Sequence, residues 1–141
     1  MNPLQIAVLD VLRSVSFGLQ ENIADRTPID TGRAISSWNV SATEANPETT
    51  PALRANENEH AAKGASTLSK GQAMTAMRGS RQNVPIGAEV IVISNALPYI
   101  EDLENGTSPQ SKPGAMVAAS VQESEIEILI DQAITRLTVL K

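Results

Sequence analysis

The sequence predicts a mixed fold in which a long helix at each end of the chain flanks strand segments. Apolar residues recur at spacings of three and four over about residues 3–25 and again over about 114–140, as on helices with one buried face. Between them, residues 37–42 alternate apolar and polar side chains like a half-buried strand of about seven residues, and 89–94 resemble a central strand covered on both sides. A chain of 141 residues is long enough to bury a core as a single domain.

The composition excludes several classes of protein. Cysteine is absent, which removes disulfides, thiolate metal sites and thiol nucleophiles. Aromatic residues make up only 2% of the chain, which disfavours a base-stacking platform or an aromatic-lined pocket. The formal net charge of -5 argues against a protein whose main task is to grip nucleic-acid phosphates, although DNA could still pass by it. Neither a signal peptide nor a membrane span is predicted, so we expect a soluble protein.

The first helix has recognisable ends. Asn2 is a suitable N-cap, and Pro3 suits the first turn. The helix should end before Thr27-Pro28, because the residue preceding a proline disfavours the helical conformation. A turn at residues 30–32 is then predicted to lead into the strand that carries Trp38, whose side chain we expect in the core.

A polar segment interrupts the chain at about residues 43–83. It contains no Val, no Ile and no aromatic residue, so it can bury little by itself. We expect a mobile polar insertion here, with a mobile loop over 44–59 and a helix over about 61–78 that packs loosely or only on a partner. Its basic residues, Arg78 and Arg81 among them, are interpreted as solvated or partner-facing surface.

The C-terminal part should contain a short helix and then the long closing helix. Residues 98–104 fit a short helix ended by Asn105-Gly106. In the closing helix, Ile128 and Leu129 widen the apolar stripe, which makes them candidates for contact with a second neighbour. Acidic residues recur on this helix at intervals of four, and they form either a solvated face or an acidic stripe that lines a channel or meets a basic partner. These acidic residues are Glu123, Glu127 and Asp131.

Motifs for catalysis or cofactor binding are missing. The sole histidine, His60, lies in the polar segment, and no nucleotide-binding loop or nucleophile elbow is present. The acidic residues Glu101, Asp102 and Glu104 lack the spacing of a calcium loop. The sequence therefore predicts no enzyme, no metal and no cofactor.

Two groups of residues carry a family resemblance. The first is T-P-I-D-T-G-R at 27–33, followed by S-S-W at 36–38. The second is S-N-A-L-P-Y-I at 94–100, followed by L-E-N-G-T-S at 103–108 and then Pro113-Gly114. In this order they resemble the neck and tail-completion proteins of long-tailed bacteriophages, including the minor tail protein Z-like group. The resemblance covers about residues 3–42 and 84–140.

This resemblance implies an α+β fold, with a small, mainly antiparallel sheet packed against long N-terminal and C-terminal helices. It implies a non-enzymatic structural protein of the virion neck, which forms a ring that completes the tail and joins it to the DNA-filled head. The ring would be a homo-oligomer, expected to be a hexamer. Its partners would be further copies of itself, other neck or connector proteins and the tail tube protein, with DNA only passing through. The protein would be assembled in the bacterial host cytoplasm.

Roles for individual residues follow from the resemblance. A structural role in the turns of the fold is assigned to Asp30, Thr31, Gly32, Trp38, Asn95, Pro98 and Tyr99. The side chain of Asn95 is expected to bond to backbone. Contact with a neighbouring subunit or the tail tube is assigned to Glu104, Gly106, Thr107 and Ser108. In a ring, the acidic residues of the closing helix would line the DNA exit channel.

Two alternatives stay open. The first is a small non-enzymatic regulatory or adaptor module whose polar middle segment folds on a host protein. The second is an enzyme that uses carboxylates such as Glu101 and Glu104.

Overall fold

A computed structural model of the chain describes residues 2–28, 33–42, 68–97, 100–106 and 113–139. Within these ranges the fold class is α+β, as the sequence predicts, with long N-terminal and C-terminal helices and a two-stranded antiparallel sheet. The helices are α1 (Pro3–Asp25), α2 (Arg33–Ser36), α3 (Lys70–Arg78), α4 (Ile100–Asn105), α5 (Val117–Ser120) and α6 (Glu123–Val139). The strands are β1 (Asn39–Ser41) and β2 (Val92–Ser94), and a 3₁₀ helix (Gly79–Asn83) follows α3.

The long first helix, α1, is confirmed at both ends. The Asn2 side chain accepts a hydrogen bond from the Gln5 amide at 2.8 Å, and the Gln5 side chain accepts one from the Asn2 amide at 2.9 Å. This capping box satisfies two backbone donors at the helix start. The helix ends at Asp25, before Thr27-Pro28. Its buried residues lie in its second half, beginning at Ser16.

Helices α1 and α6 pack antiparallel. A Cβ atom placed on Gly18 would lie 2.6 Å from Leu129 Cδ2, so the absence of a side chain lets the helices approach closely. Near the end of α1, Arg26 forms an ion pair of 2.9 Å with Glu125 at the start of α6. This antiparallel arrangement brings the N-terminal half of α1 beside the C-terminal half of α6.

Helix α3 is part of the core, which differs from the loosely packed helix predicted for this segment. Ala73, Met74 and Met77 share one face and are buried with α1 and α2. The prediction counted missing β-branched and aromatic residues, but methionine fills an irregular space equally well. The first part of the predicted mobile insertion, residues 43–67, lies outside the described residues.

Both strands are shorter than the sequence predicts. β1 has three residues, because residues 33–36 form α2 and Trp38 lies between α2 and the strand. β2 also has three residues. They are all half-buried, and within the described residues the strand belongs to a two-stranded sheet, so the prediction of a central strand covered on both sides is wrong. The strands pair antiparallel with Val40 opposite Ile93.

The closing helix is divided. α5 ends at Ser120, two non-helical residues follow, and α6 begins at Glu123. The buried Ser120 hydroxyl donates to the Met116 carbonyl at 2.7 Å and accepts from Arg26 Nη1 at 2.9 Å, which ties α5 to the end of α1. In the described part of the chain, no helix is both long and apolar enough to cross a membrane.

Candidate functional site

An apolar surface lies where the N-terminal half of α1 meets the C-terminal half of α6. Leu4, Val8 and Ile134 are 73%, 58% and 50% exposed. A groove of about 300 Å³ lies between the two helices, and a second of about 560 Å³ extends along α1 toward Glu89. We call this surface the apolar patch, and it consists of Leu4, Val8, Val11, Ile134 and Leu137. Exposed apolar side chains that line a shared groove are typical of a protein contact.

A second concave surface, which we call the arginine cleft, lies between α1, α6 and the 3₁₀ helix. Its volume is about 290 Å³. Its lining includes three guanidinium groups and one carboxylate, contributed by Arg13, Arg81, Arg136 and Glu21. The cleft is therefore locally positive, although the chain as a whole has a net charge of -5.

Phe17 holds two of these arginines in the cleft. The guanidinium carbons of Arg13 and Arg81 lie 4.8 and 5.2 Å from the centroid of its ring. Cations at this distance are attracted by the negative face of an aromatic ring. Arg13 Nε also donates to the Val84 carbonyl at 3.3 Å, and Arg81 Nη2 donates to the Phe17 carbonyl at 3.0 Å. The two side chains are thus oriented before any ligand binds.

Glu21 is already satisfied within the chain. Hydrogen bonds from Arg78 lower the pKa of its carboxyl, partial burial opposes that shift, and a further bond from Arg81 adds to it. The Arg78 bonds measure 2.9 and 2.5 Å and the Arg81 bond 2.9 Å. Because Glu21 is held by these two residues, it does not pair with Arg13 or Arg136.

The cleft is suited to an anion. Arginine presents several donors in a planar fork that matches a carboxylate or a phosphate. Within the ranges described, no group of three or more His, Asp or Glu side chains is placed to hold a metal ion. The guanidinium donors of this surface are suited to recognising negative charge.

Glu104, predicted to contact a partner, is engaged inside the chain. Its carboxylate accepts hydrogen bonds of 3.1, 3.1 and 2.9 Å from the amides of Met116, Val117 and Ala118. These amides lie at the start of α5, where a helix has unsatisfied donors and favours negative charge. The Glu104 carbonyl also accepts from the Gly114 amide at 2.6 Å. Glu104 therefore ties the end of α4 to the start of α5, and its contact with a partner stays a prediction.

Gly106 has a similar structural task. Its φ of +75° lies in the left-handed region, and a Cβ atom there would lie 2.5 Å from Pro113 N. Only glycine fits without strain. Gly106 thus shapes the same loop.

Glu104→Ala should lower the free energy of unfolding by about 1–2 kcal/mol, because it leaves the amides at the start of α5 without their acceptor. Urea denaturation followed by circular dichroism measures the change. Glu101→Ala removes an exposed carboxylate from the same helix and should leave stability within about 0.5 kcal/mol of wild type. Equal stability of the Glu104→Ala variant and wild type would show that the cap contributes nothing.

The predicted structural residues are partly described. Trp38 is 5% exposed and lies in the core, as predicted. Asn95 bonds to backbone, as predicted: its Nδ2 donates to the Ala34 carbonyl at 2.9 Å, and its Oδ1 accepts from the Leu97 amide at 3.1 Å. Several other predicted residues lie outside the described ranges, namely Asp30, Thr31, Gly32, Pro98, Tyr99, Thr107 and Ser108.

The two interface candidates on the closing helix, Ile128 and Leu129, differ in their exposure to solvent. Ile128 is 52% exposed and free to meet a partner, whereas Leu129 is buried against Gly18 of α1. Leu129 is 9% exposed and so offers little surface to another subunit, and its contact with a partner stays a prediction. We call the exposed carboxylates of α6 the acidic face, and it consists of Glu123, Glu127 and Asp131. No ion pair within the described residues engages them.

Sequence reasoning missed the arginine cleft. Arg13 and Arg136 come from opposite ends of the chain, and only the antiparallel packing of α1 on α6 brings them together. The one available signal was the spacing of Arg13 and Phe17 by one helical turn, which is too common to indicate a site.

Comparison with known proteins adds no relative: no family model, no curated protein and no solved structure matches the chain.

Proposed function

We propose that the protein is a structural subunit of the neck of a long-tailed bacteriophage. Copies of the chain form a ring, expected to be a hexamer, that completes the tail and joins it to the DNA-filled head. Further partners are other neck or connector proteins and the tail tube protein. The protein acts in the virion after assembly in the host cytoplasm, and it carries out no catalysis.

The observation that carries this proposal is the apolar patch. Side chains such as Leu4 and Val8 face solvent to more than half of their area in the isolated chain. Covering them by another protein removes apolar surface from water, which is the main driving force of association. The two ordered groups of residues that resemble neck proteins support the assignment of this assembly to the phage neck.

The acidic face of α6 has two possible places in such a ring. Its carboxylates either face the channel, where they repel passing DNA, or contact a neighbouring protein. Both fit the exposure of Glu123, Glu127 and Asp131.

Electron microscopy of a phage lysate that lacks the gene tests the proposal. Separate filled heads and separate tails are the expected result, and the wild-type gene supplied in trans should restore joined particles. Complete, joined and infectious particles without the gene would contradict the neck role and leave an adaptor with a host partner as the function to pursue.

A matched pair of variants tests the apolar patch in the same assay. Ile134→Glu places a charge in the patch, at a side chain that is 50% exposed, and should fail to restore joined particles. Thr135→Glu introduces the same charge at the next position of α6, which is exposed and outside the patch, and should restore them. Equal restoration by both variants would remove the patch from the assembly contact.

A further inference from the structure

The arginine cleft has more positive charge than the chain itself neutralises. Arg78 and Arg81 share Glu21, while Arg136 has no ion-pair partner within the described residues. Arg13 donates Nε to the Val84 carbonyl, and its two Nη groups make no hydrogen bond within the described residues, which leaves them available to a ligand. Cationic donors held around a cavity of about 290 Å³ indicate a site for an anionic group.

The acidic face carries the complementary charge. Glu123, Glu127 and Asp131 are exposed at intervals of four residues, so successive carboxylates lie about 6 Å apart along the helix axis. Like charges in this arrangement repel one another, so a helix gains stability when a cationic partner meets them. The exposed Ile130 lies on the same side of α6 and offers apolar area beside the carboxylates.

The two surfaces of one copy cannot meet. Glu127 and Arg136 are nine residues apart, which is about two and a half helical turns, so they lie on opposite sides of α6. The side with Arg136 faces α1 and the cleft, while the side with Glu127 faces solvent. A contact between acidic face and cleft is therefore possible only between two copies.

We infer that the arginine cleft of one copy binds the acidic face of α6 of a second copy. Each copy then uses two different surfaces, which is the head-to-tail arrangement that closes into a ring when the rotation between subunits permits. The inference rests on the proposed ring and names the polar contact that holds it together. Nucleic-acid phosphate is less suited to the cleft, because a chain with a net charge of -5 repels DNA over the rest of its surface.

Charge exchange tests the contact in purified full-length protein. Sedimentation velocity should show self-association of wild type that weakens as salt is raised. Arg136→Glu and Glu127→Arg each place like charges in contact, and each should weaken association about tenfold or more. The double variant exchanges the charges of the Glu127–Arg136 pair, which restores opposite charges at that pair in each contact between copies, and should recover association. Glu101→Arg, an exposed reversal on α4, should associate like wild type.

Several results would overturn the inference. Wild type could remain monomeric, Arg136→Glu could associate like wild type, or the double variant could associate no better than the single ones. Binding of a short DNA duplex that Arg136→Glu abolishes would make the cleft a phosphate site instead. Unchanged association of Glu127→Arg together with slower DNA ejection would place the acidic face in the channel.

Different results would contradict the contact between cleft and acidic face and the proposed neck role. If Arg136→Glu restores joined particles to a lysate that lacks the gene, the cleft contact is wrong while the neck role stands. If particles are joined without the gene, the neck role is wrong, and charge exchange in the purified protein still decides whether the cleft binds the acidic face.

Discussion

Trp38→Ala should lower the free energy of unfolding by about 3 kcal/mol, because it removes the largest buried side chain where α1, α2 and β1 meet. The indole is 5% exposed and belongs to the core. Its Nε1 donates to Thr27 Oγ1 at 2.9 Å, and the Thr27 hydroxyl donates to the Ile23 carbonyl at 2.8 Å. Trp38 thus fixes the chain segment that leaves α1. Urea denaturation followed by circular dichroism measures the loss.

Trp38→Phe separates packing from hydrogen bonding. Phenylalanine keeps most of the apolar area but cannot donate to Thr27, so we expect a smaller loss, about 1 kcal/mol. A loss below about 1 kcal/mol for Trp38→Ala would show that this side chain is not packed in the core.

Gln20→Ala should cost about 2–4 kcal/mol, since it both opens a cavity and leaves buried polar groups without partners. Gln20 has no exposed surface, yet it connects four parts of the fold. Its Nε2 lies 2.9 Å from the Trp38 carbonyl, 3.2 Å from the Met77 carbonyl and 3.1 Å from Ser80 Oγ. Its Oε1 accepts from Arg81 Nε at 2.9 Å. The substitution therefore also removes one of the hydrogen bonds that position Arg81 in the cleft.

A volume-matched variant identifies which loss dominates. Gln20→Met fills the same space without hydrogen bonds, so its stability should lie between those of wild type and Gln20→Ala. Equal stability of Gln20→Met and wild type in urea denaturation would show that the buried hydrogen bonds contribute nothing net. Gln20→Ala should in addition weaken self-association, if Arg81 needs Gln20 to keep its position.

Local features could be predicted where the signal lies in consecutive residues. The length of α1 and its cap follow from an unbroken apolar period and from Asn2 at its start. The buried Trp38 and the backbone bonds of Asn95 likewise follow from the properties of single residues.

Features that depend on distant packing could not be predicted. Ile128 and Leu129 are neighbours in a broad apolar stripe, and only the close approach at Gly18 decides that Leu129 is buried. No local pattern shows that the Glu104 carboxylate is engaged, because the amides of α5 from which it accepts lie 12 to 14 residues later in the chain. The cleft needs Arg13 and Arg136 from the two ends of the chain, which no local pattern connects.

The uneven burial of α1 links folding to association. Tertiary packing buries its second half from Ser16 onward, whereas its first turns rest on the capping box and on intrinsic helix propensity. The free energy of local opening therefore rises along the helix from its first turn to its last. A subunit that covered Leu4 and Val8 would bind only where those turns are formed, and by mass action it would stabilise them. Assembly would then complete the folding of the end of α1 that the isolated chain holds least firmly.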